Sequence, residues 1–419
     1  MLNVAAILVV LATLFAVLNH LYLKLPMTIG VMAVALGLSL SLVAASQTGL
    51  SPLAELKALE VAFVRSIDFH HIVMEGMLSL LLFAGALHID LTELRRSRRP
   101  VLLLAVGSTL VSTVLVGLAT VQGLAWVEID LPLTYGLLFG ALISATDPIA
   151  VLGILKSAKV PKSLETLIAG ESLFNDGVAV VLFTLLVAVV EQGRTPTLPA
   201  AVSLFAREAI GGVAYGGGLG YIAYQLLRRI DDYQIEVLIT LATVMGGYAL
   251  AHALHVSGPL AVVVVGLVIG TYGRALAMSK RTREHVDLFW ELLDTILNAV
   301  LFVLIGLEIV IIVVHGQVLI GAAVVIAVTL LARTLTVGLP VRVWYRWFGL
   351  PKGAAVVLTW AGVRGGISVA LALSLPPGPE RETIEMLTYS VVVFSTFVQG
   401  LTIGRLARRL ESGEPVRTR

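Results

Sequence analysis

Residues 131–155 read LPLTYGLLFGALISATDPIAVLGIL, an apolar run whose only charged side chain is Asp147, followed directly by Pro148. As a helix such a run crosses a hydrocarbon core about 30 Å thick, which needs roughly 20 apolar residues. A charge at bilayer depth costs about 2.5–3.5 kcal/mol on insertion scales, so Asp147 needs a partner or a function. Pro148 has no N–H to give to the carbonyl of Ser144, and the helix is expected to break there, in mid-membrane. Carbonyls freed at the break, with the Asp147 carboxylate and the hydroxyls of Ser144 and Thr146, make an oxygen-only environment that suits a hard monovalent cation such as Na+ or Li+. A simple proline kink with a capped aspartate is the plainer alternative.

The rest of the chain reads the same way. Of its 419 residues 58% are hydrophobic and 13% charged, with a mean hydropathy of +0.96, a composition far from that of a soluble domain. The net charge of +2 is small, and no basic stretch carries interleaved aromatics, which excludes a nucleic-acid partner. Cysteine is absent, removing disulfides, thiolate metal sites and thiol catalysis. Apolar segments lie near 4–19, 27–44, 70–89, 101–124, 132–155, 165–190, 201–226, 234–254, 258–273, 288–314, 318–340, 353–375 and 384–404. They make thirteen candidate spans in a single all-α integral membrane unit. Residues 52–65, PLAELKALEVAFVR, mix apolar and charged side chains at helical spacing; they read as an interfacial helix, or else as part of a longer third span. The first apolar stretch lacks a basic leader and a clear cleavage site, and is expected to stay as a helix.

Basic residues are retained on the cytoplasmic side of a membrane. One set of alternate connections holds Lys24, the cluster Arg95, Arg96, Arg98 and Arg99, then Lys156, Lys159 and Lys162, Arg228 and Arg229, Arg274, Lys280, Arg281 and Arg283, Arg342, Arg346 and Lys352, and the tail from Arg405 to Arg419. The other set holds only Lys57, Arg65, Arg194 and Arg381. An outside N-terminus and a cytoplasmic C-terminus follow, consistent with an odd number of spans.

Besides Asp147, four ionisable residues fall well inside spans: Glu171, Asp176, Arg333 and Arg364. In GESLFNDGVAV (170–180) the pairs Glu171/Asn175 and Ser172/Asp176 are four residues apart, so one broad helix face presents oxygens. Asp147 and Asp176 sit on consecutive antiparallel helices and can meet at one point. Burial and mutual repulsion favour protonation of such a pair, while a cation between them displaces the protons. That competition is the core of a proton-coupled exchanger; a structural polar network is the alternative. Arg333 and Arg364, which keep their charge, are expected to neutralise what remains, Glu171 above all. Arg364 lies in WAGVRGGISVA (360–370), where Gly362, Gly365 and Gly366 are expected to break the twelfth span as Pro148 breaks the fifth. Two interrupted spans an odd number apart suggest inverted repeats, spans one to six mirroring eight to thirteen. Asp294 and Glu308 lie closer to helix ends and are expected to reach the interface. The eight histidines are scattered, without metal-ligand company.

With ATDP at 145–148, GESLFNDG at 170–177, FVLIGLEI at 302–309, Arg333, and GVRGGISVAL at 362–371, the chain resembles the sodium/proton exchanger branch of the monovalent cation/proton antiporters. The resemblance implies thirteen helices and a homodimer. It also implies a dimerisation domain that includes about 1–44 and 201–273, and a core domain that includes about 101–190 and 318–404 and moves like an elevator. It implies that Na+ is held by Asp147, Asp176, Ser172 and the Thr146 backbone, with Glu171 nearby and paired to Arg333. Asn175 before Asp176 marks the electroneutral branch, so one proton per cation is implied. Only a short tail follows the last expected helix, and no large regulatory tail is expected.

The expected function is therefore exchange of Na+ or Li+ for H+ across a bacterial or archaeal inner membrane, with no cofactor and no enzymatic step. K+/H+ exchange on the same scaffold is the alternative within the class. An intramembrane aspartyl protease would also need two buried aspartates, but Asp176 lacks the GxGD context of that chemistry and the buried arginines are surplus to it. A channel or sensor built on the same fold is the remaining competitor.

Overall fold

The computed structural model describes residues 2–46, 51–65, 67, 71–89, 91–147, 149–158, 160–192, 197–309 and 316–411. Pro148, Lys159, Arg194 and Arg419, all named above, lie outside the described residues. Every regular element among the described residues is a helix. Besides a short helix over Leu91–Arg96, they are in chain order α1 (Asn3–Leu23), α2 (Met27–Ala45), α3 (Ser51–Arg65), α4 (Ile72–Leu87), α5 (Arg98–Ala125), α6 (Leu133–Ser144), α7 (Ile149–Ser157) and α8 (Lys162–Glu191). There follow α9 (Leu198–Leu227), α10 (Tyr233–Ala253), α11 (Gly258–Ala277), α12 (Lys280–Glu308), α13 (Leu319–Trp344), α14 (Ala354–Trp360), α15 (Gly366–Leu373) and α16 (Pro379–Arg409). Nine of these are long and apolar enough to cross a bilayer: α1, α2, α5, α8, α10, α11, α12, α13 and α16. The chain is a multi-pass membrane protein.

Helix starts follow local chemistry. Asp232 caps α10, its carboxylate accepting from the N–H groups of Gln234 at 2.9 Å and Ile235 at 3.3 Å, and Ser279 caps α12 by accepting from Thr282 N at 3.3 Å; each satisfies donors that the first helical turn leaves open. The α12 helix starts eight residues before the expected 288. Its first turn carries Lys280, Arg281 and Arg283, charges that a hydropathy window rejects but that a helix can project beyond the membrane core.

The contact between α5 and α6 is made by small residues. Gly117 of α5 and Gly136 and Gly140 of α6 face one another so closely that a Cβ on Gly140 would collide with the Thr113 carbonyl oxygen. Without a hydrophobic force between helices in lipid, such backbone approach is what packing has to work with. It clamps α6 against α5, and α8 packs on the other side of α6. A second seam joins α4, α10, α11 and α12 around Trp290, which is fully buried, packs at a tilt of 54° against Phe83 with ring centroids 4.5 Å apart, and donates from Nε1 to Thr240 Oγ1 at 3.0 Å. The outward faces carry Val10, Ile210, Leu238 and Met245, each more than half exposed, as expected where lipid rather than water is the solvent.

Candidate functional site

The α6 helix stops at Ser144, and residues 145–147 are not helical before α7 begins at Ile149. Likewise α14 ends at Trp360, and α15 starts at Gly366 after a non-helical stretch. The two non-helical stretches lie against each other. Asp147 N donates to Val363 O at 2.8 Å, and Ser368 Oγ donates to Leu142 O at 2.8 Å. A helix that stops leaves carbonyls without intrahelical donors, and here Arg364 meets them: Nη1 donates to Ser144 O at 3.1 Å and to Ala145 O at 3.0 Å. A guanidinium at the C-terminal end of α6 also opposes the negative end of its dipole. The Arg364 side chain is held at its base by Ser395 of α16, whose hydroxyl accepts from Arg364 N at 3.0 Å.

Asp147 lies at the start of α7, and its carboxylate packs against Gly365, the residue that precedes α15. It therefore sits at two helix N-termini, where the dipoles favour a negative group. A cavity of about 60 Å³ opens beside it, lined by Thr146, Asp147 and Asp176 together with Leu173, Gly365 and Ser368 and with Asn298 and Leu301 of α12. In this measure one water needs about 10–15 Å³, so the space suits a small cation with a few waters. Asp176 is 3% exposed, and its Oδ1 has no hydrogen-bond partner. Asp147, Glu171 and Arg364 are all within electrostatic reach of it.

Behind the cavity lies a closed polar network. Glu171 is gripped by Arg333 in a bidentate pair, Nη1 to Oε1 at 2.6 Å and Nη2 to Oε2 at 2.8 Å, with both side chains buried. Asn175 Nδ2 donates to Glu171 Oε1 at 3.2 Å and to Thr146 Oγ1 at 2.8 Å, while its Oδ1 accepts from Thr146 N at 3.4 Å. The hydroxyls of Thr146 and Ser172 are 2.9 Å apart. The network ties the α8 face to the break in α6–α7 and spends the Glu171 charge on Arg333, leaving Asp147 and Asp176 as the carboxylates at the cavity.

A model of the family described as sodium/hydrogen exchanger, transmembrane, matches residues 7–409 of the chain. The chain belongs to that family. It is a membrane transporter and not an enzyme. Over 425 residues it is 49% identical to the Na+/H+ antiporter NhaP of Pseudomonas aeruginosa, covering 99% of this chain and 98% of the relative. Over 369 residues it is 40% identical to the Na+/H+ antiporter NhaH of Halobacillus dabanensis, covering 86% and 89%. Its fold is that of the sodium proton antiporter MjNhaP1 from Methanocaldococcus jannaschii, with a TM-score of 0.75 at 19% identity over 97% of both chains.

In this exchanger-family chain Thr146, Asp147 and Asp176 come together at the cavity, whereas Ser172 is not among the residues that line it and meets Thr146 instead; two further roles change. Arg333 alone takes Glu171, whereas Arg364 serves the carbonyls at the end of α6. The carbonyl of Ser144, expected to face a cation, faces Arg364 instead, and the Ser144 hydroxyl donates back to Gly140 O at 2.7 Å; Ser144 leaves the ligand set. Glu308 is not among the residues that line the cavity and lies within reach of Arg381 and Glu385. Asp294 is different. Its carboxylate is bonded to Asn298, a cavity residue that sequence reading passed over. The signal was present as DTILN (294–298), where Asp294 and Asn298 lie four residues apart on one helix face.

Gly362 and Gly365 lie in the non-helical stretch between α14 and α15, and they also make space. A Cβ on Gly362 would lie 2.6 Å from Arg333 Nε, and one on Gly365 would lie 2.6 Å from both Cβ and Oδ2 of Asp147. Neither has a positive φ. Gly365→Ala is therefore expected to displace the Asp147 carboxylate and lower transport about tenfold or more, since misplacement of about 1 Å in a working site costs on the order of 10²-fold. Gly37→Ala, whose Cβ would meet nothing within 4 Å, is the control, and transport rates of the two purified variants in vesicles decide the matter. Equal rates would refute the steric reading.

Proposed function

We propose that the chain is an electroneutral antiporter that exchanges Na+ or Li+ for H+ across a bacterial or archaeal inner membrane. The observation that carries this reading is the single cavity shared by Asp147 and Asp176, whose surrounding charges nearly cancel. Glu171 and Arg333 neutralise each other, and Arg364 offsets one of the two aspartates, so the ionised group carries one net negative charge. One Na+ or one proton makes it neutral. An uncompensated charge is costly to carry through hydrocarbon, so the site crosses loaded with one or the other and not empty. Exchange is then obligatory and one for one. Asp147, Asp176 and Thr146 hold the cation, with Ser172 taking part through its hydroxyl contact to Thr146 and Glu171 standing behind Asn175. The names of the P. aeruginosa and H. dabanensis relatives, both Na+/H+ antiporters, support the same ions.

In this reading the chain makes thirteen spans with inverted repeats, and α6–α7 and α14–α15 are the two interrupted spans that cross at the site. The N-terminus lies outside and the C-terminus in the cytoplasm. The core, which includes about 101–190 and 318–404, moves as an elevator against a dimerising part that includes about 1–44 and 201–273, within a homodimer.

Proteoliposomes containing the purified protein test this. An imposed Na+ or Li+ gradient is expected to drive an internal pH change whose rate does not respond to a membrane potential. An electrogenic cycle would respond, because one charge moved across 100 mV is worth about 2.3 kcal/mol. A rate that follows the potential would sink the electroneutral reading, and a pH change driven by K+ but not Na+ would select K+/H+ exchange.

A further inference from the structure

Among the described residues that line the cavity, one polar side chain comes from outside the proposed core domain. Asn298 of α12 is 2% exposed and lines the cavity together with Asp147 and Asp176. Its Nδ2 donates to the main-chain oxygen of Asp294, one turn back, at 2.8 Å and to Asp294 Oδ1 at 3.1 Å. Those two acceptors fix which way the amide points, since only its nitrogen end can face two oxygens. The carbonyl end is what remains: Asn298 Oδ1 is buried and has no hydrogen-bond partner. Asp176 Oδ1, on the same cavity, is also buried and unpartnered. Buried acceptors without donors are costly unless something meets them. Both oxygens belong to side chains that line the same small cavity, and oxygen donors of this kind are complementary to a hard cation.

We propose that Asn298 Oδ1 is a further ligand of the transported monovalent cation, supplied from outside the proposed core domain, and that Asp294 is the residue that positions it. The proposal rests on the exchanger reading above and deepens it. An amide oxygen binds a cation but does not take up a proton at ordinary pH. Asn298 therefore adds to cation affinity without adding to proton affinity, and tilts the competition for Asp147 and Asp176 toward the metal ion. Because α12 carries neither aspartate, a core that moves leaves Asn298 behind. The cation gives up this ligand when it travels, and its loss helps the cation to leave.

The test is Asn298→Ala in proteoliposomes, with initial rates measured against Na+ and Li+. Loss of one oxygen ligand is expected to raise KM for Na+ about tenfold, to change the Li+/Na+ ratio of KM values, and to affect kcat less than KM; a merely structural role would not split the constants in this way. Asp294→Ala, which keeps only the main-chain acceptor for Nδ2, is expected to raise KM by a smaller factor, and carries the test should Asn298→Ala not fold. Values of KM within twofold of wild type in whichever variant folds overturn the proposal. Asp176→Asn separates the two readings. If wild type exchanges, Asp176→Asn does not, and Asn298→Ala keeps its KM, this inference alone falls; if wild type moves no protons in response to Na+ or Li+, the antiporter reading falls and takes it along.

Discussion

Asp176→Asn is expected to abolish Na+-driven proton movement in vesicles while leaving the protein folded. The substitution preserves shape and removes one negative charge from a side chain that is 3% exposed and carries an unpartnered oxygen at the cavity. Two losses follow together. The cation loses an ionised ligand, and removing one partner of a buried charged contact costs about 2–5 kcal/mol, or at least about 30-fold in affinity. The proton loses its carrier as well, because an amide at that position does not titrate. The charge balance adds a third consequence: with Asp176 neutral, the empty site is itself neutral and crosses without a passenger, so any residual cation movement is uncoupled from protons. Asp147→Asn is expected to show the same loss of exchange, with an added disturbance of the two helix starts against which that carboxylate lies. PH-sensitive dye inside vesicles, with parallel uptake of labelled Na+, measures both quantities. Proton movement retained at near wild-type rate in either variant would remove the paired-aspartate mechanism.

The convergence of Asp147 and Asp176 was legible in the sequence because charge in an apolar run is conspicuous. Consecutive helices and the four-residue spacings of Glu171/Asn175 and Ser172/Asp176 then limit where those groups can point. The same logic demanded a cation for Glu171, and Arg333 supplies it. What stayed hidden was anything whose partner is the main chain. Carbonyls look alike in every sequence, so nothing in WAGVRGG announces that Arg364 closes the end of α6. The reasons for Gly362 and Gly365 were equally out of reach, since they are side chains arriving from residues 333 and 147. Asn298 escaped for another reason. An uncharged amide costs little enough in a span to raise no alarm, and only its fixed orientation and orphaned oxygen distinguish it. Helix limits fared as the chemistry allows: the expected 165–190 falls within Lys162–Glu191, and 384–404 within Pro379–Arg409, each extended by polar end turns that hydropathy does not count.

Removal of Arg333 is the second change with a large expected effect, and it acts on stability before it acts on transport. Arg333→Ala leaves Glu171, a buried carboxylate, with only the Asn175 amide as a described side-chain donor. Breaking a buried pair by deleting one partner costs about 3–5 kcal/mol, because the survivor's charge is uncompensated. Thermal melting of the detergent-solubilised protein is expected to fall accordingly, and Glu171→Ala, which strands the arginine, is expected to do the same. Combining Arg333→Met with Glu171→Gln removes both charges and keeps the volume, so the double variant is expected to be more stable than either single deletion. A loss in the double variant equal to the sum of the losses in Arg333→Met alone and Glu171→Gln alone would mean that the two side chains are not coupled, against their two hydrogen bonds at 2.6 and 2.8 Å. Transport in the double variant distinguishes scaffold from site. Glu171 holds Asn175, and Asn175 holds Thr146 at the cavity. A glutamine at 171 still accepts from Asn175, and the removed charges cancel, so the net charge at Asp147 and Asp176 is unchanged. One-for-one exchange is therefore expected to persist at a reduced rate, still indifferent to membrane potential. If the rate instead follows the potential, the Glu171–Arg333 pair contributes to the transported charge and is more than a brace.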